Sequence, residues 1–161
     1  MKLAILIIQC AILSLVTFKN TSYADNRYFP QPVNFQQTAY EARNKNIPIM
    51  VLMSSVHCDY CKFIKREFLV PMIISGDYKD KVIIRVVEDD ISDEVIDFNG
   101  DLIEAGNFSD RYKINFTPTA ILIDYQGNEL SNRIIGLESE EYYGSLIDES
   151  ISHSLIKIRN K

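Results

Sequence analysis

Two cysteines separated by two residues are the side chains of this sequence best suited to chemistry. Cys58 and Cys61 lie in the segment SSVHCDYCK, directly after the apolar run Ile47–Met53. Helical spacing begins at Cys58, so the first cysteine is expected where a buried strand ends and a helix begins. The unpaired N–H groups and the positive dipole end of a helix start favour a thiolate over a thiol. A thiolate is the species that attacks a disulfide.

Three kinds of site are compatible with this spacing: a structural disulfide, half of a metal site and a reversible redox pair. A loop this short constrains the unfolded chain little, which weakens the structural interpretation. Zinc needs two further ligands, and the only histidines are His57 and His153. His153 is expected on the solvent side of the last helix. We therefore favour a redox pair without metal or cofactor, in which Cys58 attacks and Cys61, almost one helical turn further on, resolves the mixed disulfide.

Two neighbours of Cys58 are candidates for tuning the ionisation of its thiol, in opposite directions. A charged imidazole at His57 would stabilise the thiolate, whereas the carboxylate of Asp59 would oppose its formation. Both residues are equally compatible with an exposed loop that takes no part in the chemistry. The sequence therefore leaves open which of the two effects is larger.

The elements expected to position the cysteines alternate between helix and strand. Pro71 should interrupt or kink the helix that begins at Cys58. A further helix is expected before Arg111, from a partial apolar stripe at Leu102, Ile103, Phe108, Tyr112 and Ile114. The remaining patterns predict helices at 34–45, capped by Asn34, and at 139–159, strands at 49–53 and 82–87, and a hairpin of 119–124 and 129–135. We expect an α/β fold, with one mixed sheet of about four to five strands flanked by helices.

The first residues predict a secretory signal peptide. Lys2 is followed by 14 uncharged residues, 3–16, and a polar stretch that ends in Ser-Tyr-Ala at Ala24. This order is typical of a signal peptide cleaved after Ala24, and the apolar run is shorter than the about 20 residues of a membrane-spanning helix. We expect a signal peptide at 1–24, which removes Cys10, and one domain at 25–161.

The expected mature domain is acidic. Without Lys2 and Lys19 it carries 15 basic and 22 acidic side chains, a net charge of −7. Such a charge disfavours nucleic acid as a partner. The acidic residues concentrate at 88–110, a segment without any basic residue. We expect these carboxylates to face no basic residue and to form a solvated surface, the alternative being a docking surface for a basic partner.

Thr117 and Pro118 precede the apolar strand expected at 119–124. Proline lacks an N–H group and therefore fits the start of a strand, and a cis bond before proline is rarely accidental. Together with the cysteine pair, this segment resembles a thioredoxin-fold protein. The residues that carry the resemblance are PIMVLMSSVHCDYCK (48–62), YKINFTPTAILIDYQGNEL (112–130) and IIGLESEEYYGSLI (134–147).

The resemblance covers most of the expected mature chain and implies roles for further residues. It implies a cis peptide bond before Pro118 and a Thr117 backbone that pairs with an extended substrate segment beside Cys58. Gly136 matches the family glycine that lets a neighbouring turn pass close to the site. Leu52 is a departure, because thioredoxin itself has a buried aspartate at this position, six residues before the first cysteine.

Within this fold, the chain is most similar to exported thioredoxin-related proteins of the SoxW type. These proteins share a C-x-Y-C pair and a T-P-T segment and are associated with bacterial periplasmic thiol reduction. The acidic stretch at 88–110 is longer than the compact fold requires. A threonine before the proline is shared with reductases and with isomerases of the DsbC type. Such isomerases carry a dimerisation domain, for which residues 25–34 are too few, so a monomer is expected.

These features predict an exported enzyme, a thiol–disulfide oxidoreductase that reduces disulfides of proteins in the bacterial periplasm. Its partners would be protein thiols and disulfides, with a membrane electron-transfer protein as the reductant. Two alternatives stay open. One is a disulfide oxidase or isomerase of the same fold. The other is a non-catalytic thioredoxin-like binding module in which Cys58 and Cys61 form a structural disulfide.

Overall fold

A computed structural model describes residues 27–90 and 93–160 of the chain. The chain divides into two units, Met1–Pro30 and Gln31–Lys161, and the second unit contains the elements that concern the cysteines. The expected signal peptide at 1–24, including Cys10, lies outside the described residues. From Gln31 onward, the elements follow one another as β1 (Val33–Asn34), α1 (Phe35–Lys45), β2 (Ile49–Ser54), α2 (Asp59–Ile64), a π-helical segment (Lys65–Leu69), α3 (Val70–Ser75), β3 (Ile83–Glu88), β4 (Glu94–Ile96), β5 (Leu102–Glu104), α4 (Ala105–Arg111), β6 (Thr119–Ile123), β7 (Ile134–Ile135) and α5 (Glu140–Arg159).

The main sheet has four strands in the order β3-β2-β6-β7. Strand β2 pairs in parallel with β3 and antiparallel with β6, and β7 pairs antiparallel with β6. Every residue of β2 and β6 is buried, which explains why both segments are apolar in the sequence except at Ser54, the last residue of β2, and Thr119, the first residue of β6. The mixed sheet, its flanking helices and the hairpin near the end of the chain confirm the predicted α/β architecture.

The two faces of the main sheet are covered by different helices. Alternate residues of β2 pack in a core with Phe35 of α1 and Phe108 of α4. Because side chains alternate along a strand, Ser54 points to the opposite face. Glu88, which pairs with Ser54 in β3, contacts Lys65 just after α2. The helix that begins after Cys58 therefore lies on this second face.

Helices α1 and α5 confirm the predicted helices at the two ends of the domain. The side chain of Asn34 caps α1 and accepts a hydrogen bond from the Gln37 N–H at 2.8 Å. The apolar stripe of α5 is buried at Tyr143, Ile147 and Ile151.

The helix that follows Cys58 runs to Ser75 but changes its winding before Pro71. It consists of α2, the π-helical segment and α3. The Val70 N–H donates to the Lys65 C=O, five residues earlier. Pro71 has no N–H group, so the regular α-helical bonding cannot continue through it. The chain stays helical through Pro71, so the predicted interruption is not found, and the irregularity is the π-helical segment just before the proline.

A second sheet, in the order β1-β4-β5, was not predicted. Strand β1 is parallel to β4, and β4 and β5 form an antiparallel hairpin. Leu102 and Ile103, which were expected on a helix, lie in β5, and helix α4 begins only at Ala105. That part of the helix prediction is wrong. Strands of two or three residues are too short to show the alternation that identifies a strand.

The acidic segment 88–110 contains partly buried ion pairs, so the expectation that its carboxylates face no basic residue is wrong. Asp97 is 7% exposed and accepts two hydrogen bonds from the Arg111 guanidinium, at 2.6 and 2.7 Å. Glu88 pairs with Lys65 at 2.7 Å. Phe98, also within this segment, stacks on the buried Phe35 ring. The basic partners come from outside the segment, which the local charge pattern could not show.

Candidate redox site

Cys58 and Cys61 form a disulfide, with 5.2 Å between their Cα atoms. Cys58 is the N-cap residue of α2, and its Sγ accepts a hydrogen bond from the Cys61 N–H at 3.1 Å. This bond uses an otherwise unpaired N–H group of the helix start and favours negative charge on the Cys58 sulfur once the disulfide is opened. Cys58 is partly exposed, whereas Cys61 is fully buried. A protein substrate can therefore reach the sulfur of Cys58 more readily than that of Cys61.

The loop between β2 and α2 is held by a carboxylate that follows the neighbouring strand. Asp90 accepts hydrogen bonds from the Ser55 hydroxyl at 3.1 Å and from the Val56 N–H at 3.0 Å. The Cys58 N–H in turn donates to the Ser55 C=O at 3.1 Å. Asp90 has no motif around it. Its only signal in the sequence is its position just after a strand parallel to β2, which brings it to the same edge of the sheet.

Thr117 and Pro118 lie at the end of the main sheet where strand β2 ends and strand β6 begins. Thr119, the first residue of β6, pairs with Met53 near the end of β2. The two residues before Thr119 are therefore placed beside the loop that leads to Cys58. The Thr117–Pro118 peptide bond is cis.

The segment around Pro118 is fixed on one side and open on the other. The Pro118 C=O accepts a hydrogen bond from the Gly136 N–H at 2.8 Å. Gly136 has a φ of +71°, in the left-handed region that glycine adopts without strain. Thr117 is partly exposed, and its backbone forms no hydrogen bond with the residues that the structure describes.

His57 and Asp59, the two candidates for tuning Cys58, are both exposed. The side chain of Asp59 is 95% exposed and forms an ion pair with Lys62 at 3.2 Å. Charges in such positions are screened by water and salt, and the effect of either residue on Cys58 stays a prediction.

His153 is exposed on α5, far along the chain from the cysteines. Across 27–90 and 93–160, no three His, Cys, Asp or Glu side chains are grouped so that they could hold a metal ion.

Comparison with known families agrees with this geometry. A family model described as a thioredoxin-like domain matches residues 16–151, which is more than half of the chain. The chain belongs to the thioredoxin-like domain family. Comparison with curated protein sequences finds no match, so the narrower resemblance of this thioredoxin-like protein to the SoxW type stays a prediction.

Solved structures share the thioredoxin-like fold at low sequence identity. The DsbH oxidoreductase is 14% identical, with a TM-score of 0.54 over 71% of this chain and 78% of that one. A structure reported for the thiol-resolving mechanism of a yeast mitochondrial 1-Cys peroxiredoxin via glutathione/thioredoxin systems is 14% identical, with a TM-score of 0.51 and coverage of 78% and 97%. The periplasmic thioredoxin SoxS from Paracoccus pantotrophus is 15% identical, with a TM-score of 0.45 and coverage of 66% and 98%. Identities this low show the fold alone.

No helix in the described ranges of this thioredoxin-like protein is both long enough and apolar enough to cross a membrane.

The thioredoxin-like site has a partly buried carboxylate, but on a different strand from the one where thioredoxin itself has an aspartate. Leu52 occupies that aspartate position in β2 and is fully buried. Glu88 in β3 accepts a hydrogen bond from Lys65 at 2.7 Å, and the two side chains are only 14% and 8% exposed. Lys65 lies one helical turn after Cys61. A lysine at this spacing is the only signal in the sequence that could have indicated the pair.

Proposed function

We propose that this thioredoxin-like protein is an exported thiol–disulfide oxidoreductase that reduces disulfides of periplasmic proteins. The observation that carries the proposal is the unequal exposure of two bonded cysteines at the start of one helix. Cys58 is partly exposed at the N-cap position, and Cys61 is buried. An exposed attacking sulfur and a buried second sulfur are the arrangement that a dithiol–disulfide cycle needs. A structural disulfide has no need for an accessible sulfur. The name of the DsbH oxidoreductase is in line with this proposal.

In the proposed cycle, the Cys58 thiolate attacks one sulfur of a substrate disulfide and the other substrate sulfur leaves as a thiolate. A mixed disulfide then joins Cys58 to the substrate. Cys61 attacks the Cys58 sulfur, the bond between Cys58 and the substrate breaks, and the substrate leaves with both of its sulfurs reduced. Two electrons from an external dithiol return the Cys58–Cys61 disulfide to its reduced form. A membrane electron-transfer protein is the proposed donor.

The surface beside Cys58 offers two kinds of contact to a substrate segment. The Thr117 backbone has no partner among the described residues, so an extended segment can pair with it as an added strand. Large apolar side chains on both sides of the site are more than half exposed: Val56, Tyr60, Phe116 and Ile135. They would pack against apolar side chains of the substrate. Thr117 and Pro118 are accordingly the proposed substrate-binding residues.

Export is proposed from the sequence, with a signal peptide at 1–24 and a thioredoxin-like domain at 25–161. The amino-terminal order of a positive residue, an apolar core and a small-x-Ala end supports it. An oxidising compartment would supply the protein disulfides on which the cycle acts.

Replacing the second cysteine tests the enzymatic proposal. In Cys61→Ser, Cys58 can still attack a substrate disulfide, but the mixed disulfide cannot be resolved from within the protein. Expressed as the full chain in a bacterial cell, this variant should accumulate covalent complexes that disappear on treatment with dithiothreitol. Their number and amount can be compared with the wild type on non-reducing gels after acid quenching and alkylation.

The double variant Cys58→Ser/Cys61→Ser is the control, because it has the same fold but no attacking sulfur. It should form no such complexes. If Cys61→Ser gives the same empty lanes as this control, the proposed enzymatic cycle is wrong and the binding-module alternative is favoured.

A further inference from the structure

A groove lies between the edge strand β7 and helix α5. It has a volume of about 780 Å³ and is lined by residues of the segment 129–138 and by one side of α5 from Tyr143 to Lys157. Leu130, Ile134 and Tyr143 are buried, whereas Leu146 is 43% exposed. The groove therefore has an apolar floor, and an apolar side chain on its rim is open to solvent.

Strand β7 is an edge of the main sheet, so one side of its backbone has no neighbouring strand within the described ranges. Its pairing with β6 places Ile135 opposite Thr119. The Gly136 N–H bonds to the Pro118 C=O at 2.8 Å, and hydrogen-bonded pairs alternate along an antiparallel ladder. Ile135 is therefore the residue of β7 whose N–H and C=O point away from β6, toward the side on which a strand can be added.

The groove is long enough for an extended segment of polypeptide. Helix α5 rises about 21 Å between Tyr143 and Lys157, at about 1.5 Å per residue. An extended strand rises about 3.3 Å per residue, so about six residues span the same length. A segment of this length can bond through its backbone to β7 while its side chains enter the groove.

The basic side chains of Arg133 and Lys157 at the groove are already engaged. Arg133 is paired with Glu129 at 2.6 Å, and the Lys157 ammonium donates to a backbone C=O of the β6–β7 hairpin at 3.1 Å. Two further carboxylates line the groove, those of Glu138 and Glu149. Neither forms an ion pair with any residue that the structure describes. The groove therefore favours an occupant with lysine or arginine side chains.

One residue of the floor has a hydroxyl without a partner. Tyr143 is 1% exposed, and its hydroxyl is buried and forms no hydrogen bond with any residue that the structure describes. Burial raises the pKa of Tyr143, so the phenol keeps its proton at neutral pH and can act as a donor. An unpaired buried donor is unfavourable, and a carbonyl oxygen of an occupant would supply an acceptor.

The groove continues into the surface proposed for substrate binding. Ile135 and Gly136 line the groove, and the Gly136 N–H also holds the C=O of the cis-proline. The ring of Phe116 lies 3.6 Å from the position that a Cβ would take at Gly136. A segment that pairs with Thr117 beside Cys58 can therefore continue along the open edge of β7.

We propose that this groove binds an extended, basic segment of the substrate polypeptide as a strand added to β7, an inference that rests on the proposed oxidoreductase function. The substrate disulfide lies at Cys58, and about six residues to one side of it lie in the groove. Their backbone bonds to Ile135, their apolar side chains cover Leu146, and a lysine or arginine pairs with Glu149. The substrate class is a protein whose disulfide lies in an unfolded or flexible segment, because a compact folded domain does not present such an extended stretch.

The test compares three mixed disulfides that each carry thionitrobenzoate as a coloured leaving group. In the first, a cysteine is flanked on both sides by about six residues that alternate lysine and valine. In the second, glutamate replaces lysine, and the third is the mixed disulfide of free cysteine. The reduced full chain, with Cys10→Ser so that only the pair reacts, is mixed with an excess of each. The dependence of thionitrobenzoate release on concentration separates the half-saturating concentration from the maximal rate.

We expect the lysine peptide to half-saturate the protein at a concentration about tenfold below that of the glutamate peptide. Glu149→Lys should raise this concentration about tenfold for the lysine peptide and lower it for the glutamate peptide. Ser150→Trp, which fills the groove from α5, should raise it for both peptides. Neither variant should change the reaction with the disulfide of free cysteine. Glu141→Lys and Ser145→Trp are the matched controls, because both residues are exposed on α5 away from the groove lining, and all three reactions should stay close to the wild type.

Each outcome bears on a different proposal. If the protein releases no more thionitrobenzoate from the disulfide of free cysteine than Cys58→Ser/Cys61→Ser does, the oxidoreductase function itself fails. If that disulfide is reduced but the groove variants react with both peptides as the wild type does, the groove inference is wrong while the oxidoreductase function stands. Equal effects of Glu149→Lys and Glu141→Lys would indicate net charge alone and would also overturn it. So would a wild-type dimer in size-exclusion chromatography that Ser150→Trp makes monomeric, because a second copy would then occupy the groove.

Discussion

At the residue scale, the three consecutive carboxylates at 88–90 have separate contacts around the cysteines. Glu88 pairs with Lys65 under the helix of Cys61. Asp89 accepts a hydrogen bond from Ser109 on α4. Asp90 holds the loop that leads to Cys58. This short acidic stretch therefore joins the candidate redox site to helix α4.

Asp97 is a carboxylate of the same acidic segment whose contribution to stability depends on pH. Hydrogen bonds from the Arg111 guanidinium hold the pKa of Asp97 below its ordinary value. Because this pKa is lower in the folded than in the unfolded protein, the ion pair stabilises the fold above the unfolded-state pKa of about 4. That stabilisation is lost as the pH falls through the folded-state value.

Asp97→Asn should therefore lower the free energy of unfolding at pH 7 by about 1–2 kcal/mol, a modest value because the Arg111 side chain is 43% exposed. The difference from wild type should shrink as the pH falls from about 5 to about 2. Urea unfolding at a series of pH values measures both quantities. Asp101→Asn, which removes an exposed carboxylate from the same hairpin, should show a smaller difference at pH 7. A difference for Asp97→Asn that stays constant down to pH 2 would contradict this account.

The residues of the site differ in how far the sequence reveals them. Cys58 and Cys61 are marked by their spacing, and the strand–helix junction that places them is visible in the hydrophobic pattern. Glu88 and Asp90 lie in a run of like residues, and the sequence does not show which groups each of them contacts. That depends on Lys65 and Ser55, which reach them from other elements. Local patterns carry no information on such long-range pairs.

At the element scale, the turn between β6 and β7 illustrates how tertiary contacts constrain a segment that was correctly predicted as a hairpin. The Tyr112 hydroxyl donates to the Gly127 C=O at 2.9 Å. Burial raises the pKa of Tyr112 to about 12, so the phenol remains a donor at neutral pH. The hydroxyl of Tyr112 and the ring of Phe98 both lie close to the position that a Cβ would take at Gly127. The turn is thus packed against residues that precede it by 15 positions or more.

Gly127→Ala should destabilise the protein by about 2 kcal/mol. Gly127 has a φ of +85°, and an added Cβ would lie 2.9 Å from the Tyr112 hydroxyl. Backbone strain and this close contact both act against alanine. Chemical denaturation at pH 7 measures the change. Gly106→Ala is the matched control, because Gly106 is in helix α4 and its added Cβ would meet only Asp89, at 3.9 Å. The control should be neutral or stabilising by up to about 1 kcal/mol, and equal effects at both glycines would be evidence against the packing of this turn.

The elements of the main sheet were predicted because each is long enough to show its own pattern. Strands β2 and β6 each contain a run of at least four apolar residues, and α1 and α5 show apolar stripes at helical spacing. The second sheet was missed since β1, β4 and β5 have two or three residues each. Such short strands are defined by their pairing partners and not by their own sequence.

At the scale of the whole molecule, the proposed function implies a site that accepts different substrates. In that proposal, the apolar side chains around Cys58 and the open backbone of Thr117 would contact a substrate segment through general features and not through a fitted pocket. Specificity at the cysteines then depends on redox state and accessibility. The direction of electron flow is therefore set by the reduction potential of the cysteine pair relative to its partners.

That potential decides among the functions that the fold allows. A structural disulfide is expected below about −300 mV, a thioredoxin-type reductase near about −270 mV and a strong oxidase near about −120 mV. For a periplasmic reductase, we expect the Cys58–Cys61 disulfide between about −300 and −200 mV, because it must give electrons to substrate disulfides and still be reducible by its donor. The measurement is equilibration of the full chain, with Cys10→Ser so that only the pair titrates, in dithiothreitol and glutathione buffers, followed by alkylation and mass spectrometry. The Cys58→Ser/Cys61→Ser variant gives the background. A value near −120 mV would reverse the proposed direction to oxidation, and a pair that stays oxidised below −300 mV would make the disulfide structural, because no ordinary dithiol donor could then open it.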